Sequence, residues 1–496
     1  MKDSTLNLIA KFLKYALLVG ASLFVITYII IAFLRVRFPF ELVIFEGGVI
    51  EHVRRIIFGQ RIYLGPTWEF APFLYPPLYY YVLALIAKVF GLYLVPLRFF
   101  TFLLSLANFL LIFIFVKKES KNIFAAFLAC CLFAATFRIG NLVFDVIKND
   151  TLFLFLLLSA LYLLKFGSSR KSYLLSAVLI ALAYLTKQTT LAIIVLILAY
   201  PFIARIKYAF LFAATVIITI VGSSLFLDYL NRGWYNYYVF YLASSLGIIK
   251  RQAILFLGKG FLLSLSIAFI TSIFYICAQI VKPKNKNAIF YTLLCLSAIG
   301  GSFIATLYRG TSSNSFLPAY AVVSILFGLG ISQILEMIGS IALLKTRKML
   351  EVWLYSSCIL QFICLVYNPF TVIPRAEHLK ANESYVNTLR ELKGEVFLPW
   401  HGYLATLAGK NNSLHIYPLH DIIVKNQKGA VREQLIRDIR QAIREKRFAA
   451  IISEEDWFFQ KDTEEYYTPK GFVFKQEVML CPLADKMNPV IYVPKK

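Results

Sequence analysis

Residues Tyr15–Leu34 read YALLVGASLFVITYIIIAFL, a stretch without a charged side chain. A helix of roughly 20 residues crosses a hydrocarbon core of ~30 Å, so this run is read as a membrane span. Lys2, Lys11 and Lys14 precede it. They resemble the basic region of a signal peptide, but the run is too long for one and no small-x-small cleavage site closes it. The first span is therefore expected to stay in place, with its N-terminus cytoplasmic beside its basic flank.

Apolar runs recur downstream near residues 75–95, 97–116, 122–137, 151–164, 172–186, 189–203, 208–227, 260–281, 288–308, 316–341 and 350–370. With 59% hydrophobic residues and a mean hydropathy of +0.70, the chain is predicted to be a mainly α, polytopic membrane protein rather than a soluble one. The net charge of +24 does not point to nucleic acid. The Lys and Arg residues of the apolar region fall mostly in short loops, where they suit topology and the anionic headgroups of membrane lipids. Cys130, Cys131, Cys277, Cys295, Cys358 and Cys364 lie in apolar segments and Cys481 outside them, with neither disulfide nor metal-ligand spacing.

Strict alternation through twelve spans would place the basic loops at Lys165/Arg170/Lys171, Arg205/Lys207, Lys282/Lys284/Lys286 and Lys345/Arg347/Lys348 outside, against the positive-inside rule. If the stretch from Tyr75 to Val116 makes one net crossing instead of two, all of these loops become cytoplasmic. We therefore expect about eleven transmembrane helices, with one segment in this stretch re-entrant, in-plane or too short to span. Pro76, Pro77, Gly91 and Pro96 provide the breaks. Two parts follow: a transmembrane domain over 1–374, with a first outer loop at 36–74, and a charged, mixed α/β domain over 375–496 on the outer face. In the latter, Glu395–Trp400 and Ala449–Ser453 flank a basic helical stretch, Gly429–Arg447.

Within the first outer loop, Val49, Ile50, Val53, Ile56 and Ile57 share one helical face and Glu51, Arg54 and Arg55 another, as in a helix lying on a membrane surface. Phe45-Glu46-Gly47-Gly48 precedes it; Gly59-Gln60-Arg61-Ile62-Tyr63 and Tyr75-Pro76-Pro77-Leu78 follow. This order of an acid, an amphipathic helix, a Gly-x-x-x-Tyr turn and a Tyr-Pro-Pro-Leu start resembles the GT-C glycosyltransferases, in the branch of protein O-mannosyltransferases and lipid A aminoarabinose transferases. The resemblance continues through Arg98, Phe144–Asp150, Leu185–Thr189 and, more loosely, Gly310–Asn314.

What the resemblance implies is transfer of a sugar, with inversion, from a polyprenyl-phosphate donor to a hydroxyl of a glycan, lipid or protein acceptor. The reaction would occur on the outer face of a plasma or inner membrane. Glu46 matches the family's first-loop acid and so the general base, although the family often shows Asp or an Asp-Glu pair there; the alternative is a surface pair with Arg54 or Arg55. Asp145 and Asp150, at a membrane boundary beside Lys148, can orient the acceptor or share a divalent cation, while Asp150 can equally start a helix. Lys187 and Gln188 are candidates for the donor phosphate, against interfacial snorkelling of Lys187. Arg309 is a further phosphate candidate, and Asn314 a candidate for sugar or phosphate.

His52, His401, His415 and His420 lack metal partners at helical spacing and are read as surface residues, and Tyr79, Tyr80 and Tyr81 as an interfacial aromatic belt. Gly328-Leu329-Gly330 lies inside a span and reads as close helix packing. The competing function is a transporter or flippase of lipid-linked sugars, which would place polar groups near the midplane and often shows internal repeats. No repeat is present, and the carboxylates cluster beside the surface helix, as suits an enzyme.

Overall fold

The computed structural model describes residues 3–282, 285–425, 429–454 and 457–496. Lys2 and Lys284, counted above among the basic flanks, lie outside them. Helix α1 (Asp3–Val36) leads into α2 (Phe45–Ile57), α3 (Leu78–Phe90), α4 (Leu94–Ser120), α5 (Ile123–Ala135), α6 (Asp150–Phe166) and α7 (Arg170–Thr186). The bundle continues with α8 (Ile206–Leu230), α9 (Ser266–Ile280), α10 (Lys286–Thr306), α11 (Leu317–Gly339) and α12 (Leu344–Ile363). Side chains such as Phe12 and Leu23 on α1 and Phe210 and Ile218 on α8 are exposed. Such apolar outer faces need lipid around them, and the chain is an integral, multi-pass membrane protein.

Among the described residues, five helices are long and apolar enough to cross a bilayer alone: α1, α4, α8, α10 and α11 together with the turn from Ser313. The segment Lys250–Leu263 and α9, bent by 81° at their junction, would make a sixth as one span. Four of the remaining apolar runs became shorter helices, 13 residues in α3 and α5 and 17 in α6 and α7, while α12 has 20. The run at 189–203 is broken into Thr190–Ile194, Ile197–Ala199 and Tyr200–Ala204. Apolar composition here reflects burial among neighbours as much as lipid contact; nine of the residues of α5 are buried. Helix α3 rises about 20 Å, short of the hydrocarbon core.

Tyr28 of α1 is fully buried and bonds Ser105 of α4 through its hydroxyl. Phe109, Phe137 and Phe144 meet its ring edge-on at centroid distances of 5.1–5.7 Å. This aromatic knot holds the irregular segment between α5 and α6 against the bundle. Farther along, Gly328 of α11 lies so close to α5 that a Cβ added there would stand 2.8 Å from the Ala125 carbonyl oxygen.

Beyond the bundle, α13 (Ala376–Glu391) and α14 (Ala430–Arg444) accompany a four-stranded sheet of order β1-β2-β4-β3. The strands are β1 (Val396–Phe397), β2 (Ala450–Ser453), β3 (Tyr467–Phe472) and β4 (Val490–Pro494); β1 and β2 are parallel and the other pairs antiparallel. Parallel neighbours need a crossover, and α14 lies in the connection between them, burying Leu435, Ile439, Ala442 and Ile443. Strand β2 is buried throughout.

This C-terminal part sits on the loop of residues 36–74, which contains α2. Leu414 donates its N–H to the Trp68 carbonyl at 2.9 Å, His415 Nε2 lies 3.0 Å from the Ile44 carbonyl oxygen, and Arg447 stacks 4.4 Å over the Trp68 ring. Helix α2 is therefore covered on both sides. Residues Phe45–Val53 are all buried, Glu51 and His52 among them, so its polar face meets protein and not only the water above a membrane.

Gly328→Val should lower the thermal midpoint in detergent, by overpacking worth about 1–3 kcal/mol, with no change in the cavity described below. An unchanged midpoint would contradict the close approach of α11 to α5.

Candidate active site

Glu46 lies in the first turn of α2 and is completely buried. Its partner is neither Arg54, which pairs with Glu51 at 2.8 Å, nor Arg55. Arg98 of α4 grips it instead, with Nε donating to Oε1 at 2.8 Å and Nη2 to Oε2. The backbone N–H of Leu42 and that of Ile147 donate to the remaining acceptor sites at 2.8 and 3.0 Å. Burial pushes the Glu46 carboxyl up, but the Arg98 charge and these hydrogen bonds more than offset it and leave the group below the ordinary carboxylate range. The carboxylate is thus held ionised, with four N–H donors on its two oxygens.

Asp145 is equally buried and faces Arg35 Nε at 2.8 Å. That N–H is not aimed at the oxygen, and neither Asp145 oxygen accepts a hydrogen bond. Burial raises its carboxyl to about 6, against the pull of Arg35. Asp150, the first residue of α6, receives Lys187 Nζ at 2.6 Å and Asn314 Nδ2 at 3.0 Å, with Lys148 Nζ at 3.9 Å. Asp145 and Asp150 thus face different cations, Arg35 for the first and Lys187 with Lys148 for the second. Among the described residues no group of three or more His, Cys, Asp or Glu side chains is disposed to hold a metal ion.

Lys148, Lys187, Gln188, Arg309 and Asn314 all line one cavity of about 550 Å³. Lys187 follows the last turn of α7, Lys148 precedes α6, Arg309 follows α10, and Asn314 lies in the turn Ser313–Phe316 before α11. Lys187 is buried and ion-paired, not snorkelling at an interface. Burial lowers the pKa of Lys148 against the opposing pull of Asp150. Gln188 donates to the Leu74 carbonyl at 2.6 Å, while its Oε1 is buried without a partner. The lining also includes apolar side chains, Leu191, Ala192, Val239, Phe240, Ile304 and Ala305 among them.

The histidines depart from the surface reading. His52 is buried, with Nδ1 2.7 Å from the Gly48 carbonyl oxygen and Nε2 accepting the Phe73 N–H at 3.0 Å. It stacks on Phe73 and Tyr80, and burial pushes its pKa down to about 3, so it is a neutral ring used as a packing piece. His401 is buried between Glu41 Oε2, 3.2 Å from Nδ1, and Glu454 Oε1, 3.6 Å from Nε2. Tyr79 and Tyr80 are buried as well, and only Tyr81 of that trio is exposed; the short α3 packs against α2 and turns two of the three rings inward.

Residues 75–227 match the family model of dolichyl-phosphate-mannose-protein mannosyltransferase. Over 95% of this chain and 97% of the other, the structure superposes on ArnT from Cupriavidus metallidurans in the apo state, with a TM-score of 0.60 at 11% identity. The same protein bound to undecaprenyl phosphate gives 0.59 at 13% identity, with the same coverage. The chain has the GT-C glycosyltransferase fold. The oligosaccharyltransferase of Archaeoglobus fulgidus, in complex with zinc and sulfate, matches at 0.50 and 12% identity over 92% of this chain and 71% of that one. No curated protein matches in sequence.

Within the GT-C fold, sequence reasoning missed Glu41, Glu454 and Arg35 as partners, and Lys148 as a cavity residue in its own right. Nothing in the spacing of Arg35 and Asp145, or of Glu41 and His401, could have joined them. Lys148 was legible, since it is the one cation in the Phe144–Asp150 stretch.

Two predictions follow from these buried charges. Arg98→Met leaves Glu46 buried without its counter-ion and should cost about 3–5 kcal/mol of stability, read as a fall in thermal midpoint. At the His401 clasp, burial raises the Glu454 carboxyl from 4.5 to about 7 and its neighbour raises His401 despite the opposing effect of burial. The folded state then holds protons that the unfolded chain has released, so stability is lost as pH rises through neutrality. The thermal midpoint should fall between about pH 5 and 8, and Glu454→Gln should flatten that slope; an identical slope in the variant would sink the assignment.

Proposed function

We propose that this chain transfers a sugar from a polyprenyl-phosphate carrier to an acceptor hydroxyl, on the outer face of the membrane and with inversion at the anomeric carbon. The observation that carries the reading is the cavity, whose lining combines Lys148, Lys187 and Arg309 with many apolar side chains in a single space. Lys148, Lys187 and Arg309 suit the phosphate, and the apolar side chains suit the first isoprene units of the carrier. The fold shared with a protein crystallised with undecaprenyl phosphate supports the same donor class.

In this reading Asp150 is a positioning residue, because it fixes Lys187 and Asn314 at the phosphate end. Glu46 and Asp145 hold Arg98 and Arg35 behind the cavity wall and keep the first outer loop in register with α4. As the glycosidic C–O bond breaks, negative charge grows on the phosphate, and cations already in place stabilise it without reorganising. The basic loops would be cytoplasmic, as would the N-terminus, with the sheet domain outside.

The test is transfer of labelled sugar from a panel of polyprenyl-phosphate sugars, with the native chain in reconstituted membranes. Lys148→Met removes a cavity cation without removing the main partner of Asp150. It should weaken undecaprenyl phosphate binding by about tenfold or more, the equivalent of one charge-assisted hydrogen bond. Binding unchanged by that substitution would remove the phosphate from this end of the cavity. Movement of donor across the bilayer with no glycosylated product would replace the transferase reading by a flippase.

A further inference from the structure

The helical segment Lys250–Leu263 meets α9 at 81°. α9 runs along α11, with Ser272 donating to the Val323 carbonyl at 3.4 Å and Gln279 to Gln333 Oε1 at 3.3 Å. α11 with its preceding turn is long and apolar enough to cross a bilayer. A helix at nearly a right angle to that direction lies close to the membrane plane. It lies on the side of the cavity, because the Ile249 N–H donates to the Leu307 carbonyl at 2.7 Å and the Arg309 N–H to the Gly247 carbonyl at 3.0 Å. Arg309 and Leu246, at this junction, line the cavity.

The two faces of the segment differ. Inward, Ala253 and Phe261 are buried, Gln252 donates to the Thr311 carbonyl, and the Phe261 ring stacks on Phe316 at 5.7 Å and on Tyr320 at 6.0 Å. Outward, the cations Lys250, Arg251 and Lys259 alternate at about one-turn intervals with the exposed apolar side chains Ile254, Leu255 and Leu263. An exposed face that mixes cations with bulky apolar groups is at home among lipid headgroups, with the apolar groups dipping toward the acyl chains. Tyr229 and Tyr241, a little earlier in the chain, also expose their rings, as aromatic residues at headgroup level do. No aspartate or glutamate occurs between Tyr229 and Leu335. Among the described residues none of the three cations has an ion pair.

From this arrangement we infer that Lys250–Leu263 is a membrane-surface arm that binds the headgroups of anionic phospholipids in the leaflet beside the cavity, through Lys250, Arg251 and Lys259. The charge of the face selects the partner: three cations without acids to answer them attract headgroups of net negative charge and gain little from zwitterionic ones. The inward stack keeps the arm fastened to the turn before α11, so the bound lipids gather next to Arg309. The inference requires only that the chain is an integral membrane protein and is independent of the donor proposed above.

The experiment uses the full chain in phosphatidylcholine nanodiscs, with a coumarin-bearing amino acid incorporated at position 255. Its fluorescence is quenched by lipids brominated near the head of the acyl chain, either phosphatidylglycerol or phosphatidylcholine, each at ~20% of the lipid. Brominated phosphatidylglycerol should quench about threefold or more as strongly as brominated phosphatidylcholine, and the excess should disappear in Lys250→Gln/Arg251→Gln/Lys259→Gln and in ~1 M salt, which screens charge beyond about 3 Å. The same fluorophore at position 218, where Ile218 is exposed on α8, should be quenched equally by the two. Equal quenching at position 255 in the native chain overturns the inference, as does an excess that survives the triple substitution. Absence of quenching by either lipid overturns it too, by placing the arm in water. If the triple variant loses its folding transition, the salt series on the native chain decides, and an excess that survives high salt overturns the assignment. Loss of the excess on adding equimolar undecaprenyl phosphate would overturn the phospholipid as occupant and give the arm to the prenyl phosphate.

Discussion

Arg98 has five N–H donors in a rigid fork, and in this protein every one of them has an acceptor. Two go to Glu46, one to the Phe40 carbonyl, and two to the carbonyls of Phe38 and Arg35. Through this one side chain α4 fixes the end of α1, the turn that follows it and the start of α2. Glu46 extends the link to Ile147, just before α6. The pair is costly to bury and costlier to break. What it secures is register: the irregular outer segments are held at one place on the bundle, and the cavity forms where they meet.

The cavity then inherits its electrostatics from a second, smaller arrangement. Asp150 holds Lys187 and Asn314 in fixed positions, while Lys148, farther from its carboxylate and 5.5 Å from the Phe45 ring centroid, is the less tightly paired of the two lysines. One carboxylate behind two lysines leaves a site with spare positive charge, suited to an anion. The C-terminal part lines another side of this space through Tyr417 and Asp421, and His401, between Glu41 and Glu454, joins it to the loop before α2.

Much of this was legible in the chain itself. Lys187, Gln188, Arg309 and Asn314 were singled out through the family resemblance, Lys187 also because it follows an apolar run, and all four line one cavity. Gly328 read as a packing glycine because it interrupts a span, and α11 does approach α5 there. The span count was harder to read, since α5 is apolar on every side because it is wrapped by protein, and hydropathy does not distinguish protein from lipid. His52 and Tyr80 were misread for a related reason. Their polarity argued for the surface, but each is covered when α2 packs on α3, and His52 satisfies both ring nitrogens with backbone groups.

The sequence by itself determined the solvent of this protein, the placement of most helices and, through Lys187 and Arg309, two of the three cations that line the cavity. These depend on local composition and on period, which a single chain carries openly. Only the tertiary structure decided which charge answers which: Glu46 with Arg98, Asp145 with Arg35, Glu41 with His401, and Asp421 brought to a cavity built by helices far earlier in the chain. A buried ion pair forms wherever folding brings two charges together without water, and sequence separation leaves no trace of that meeting.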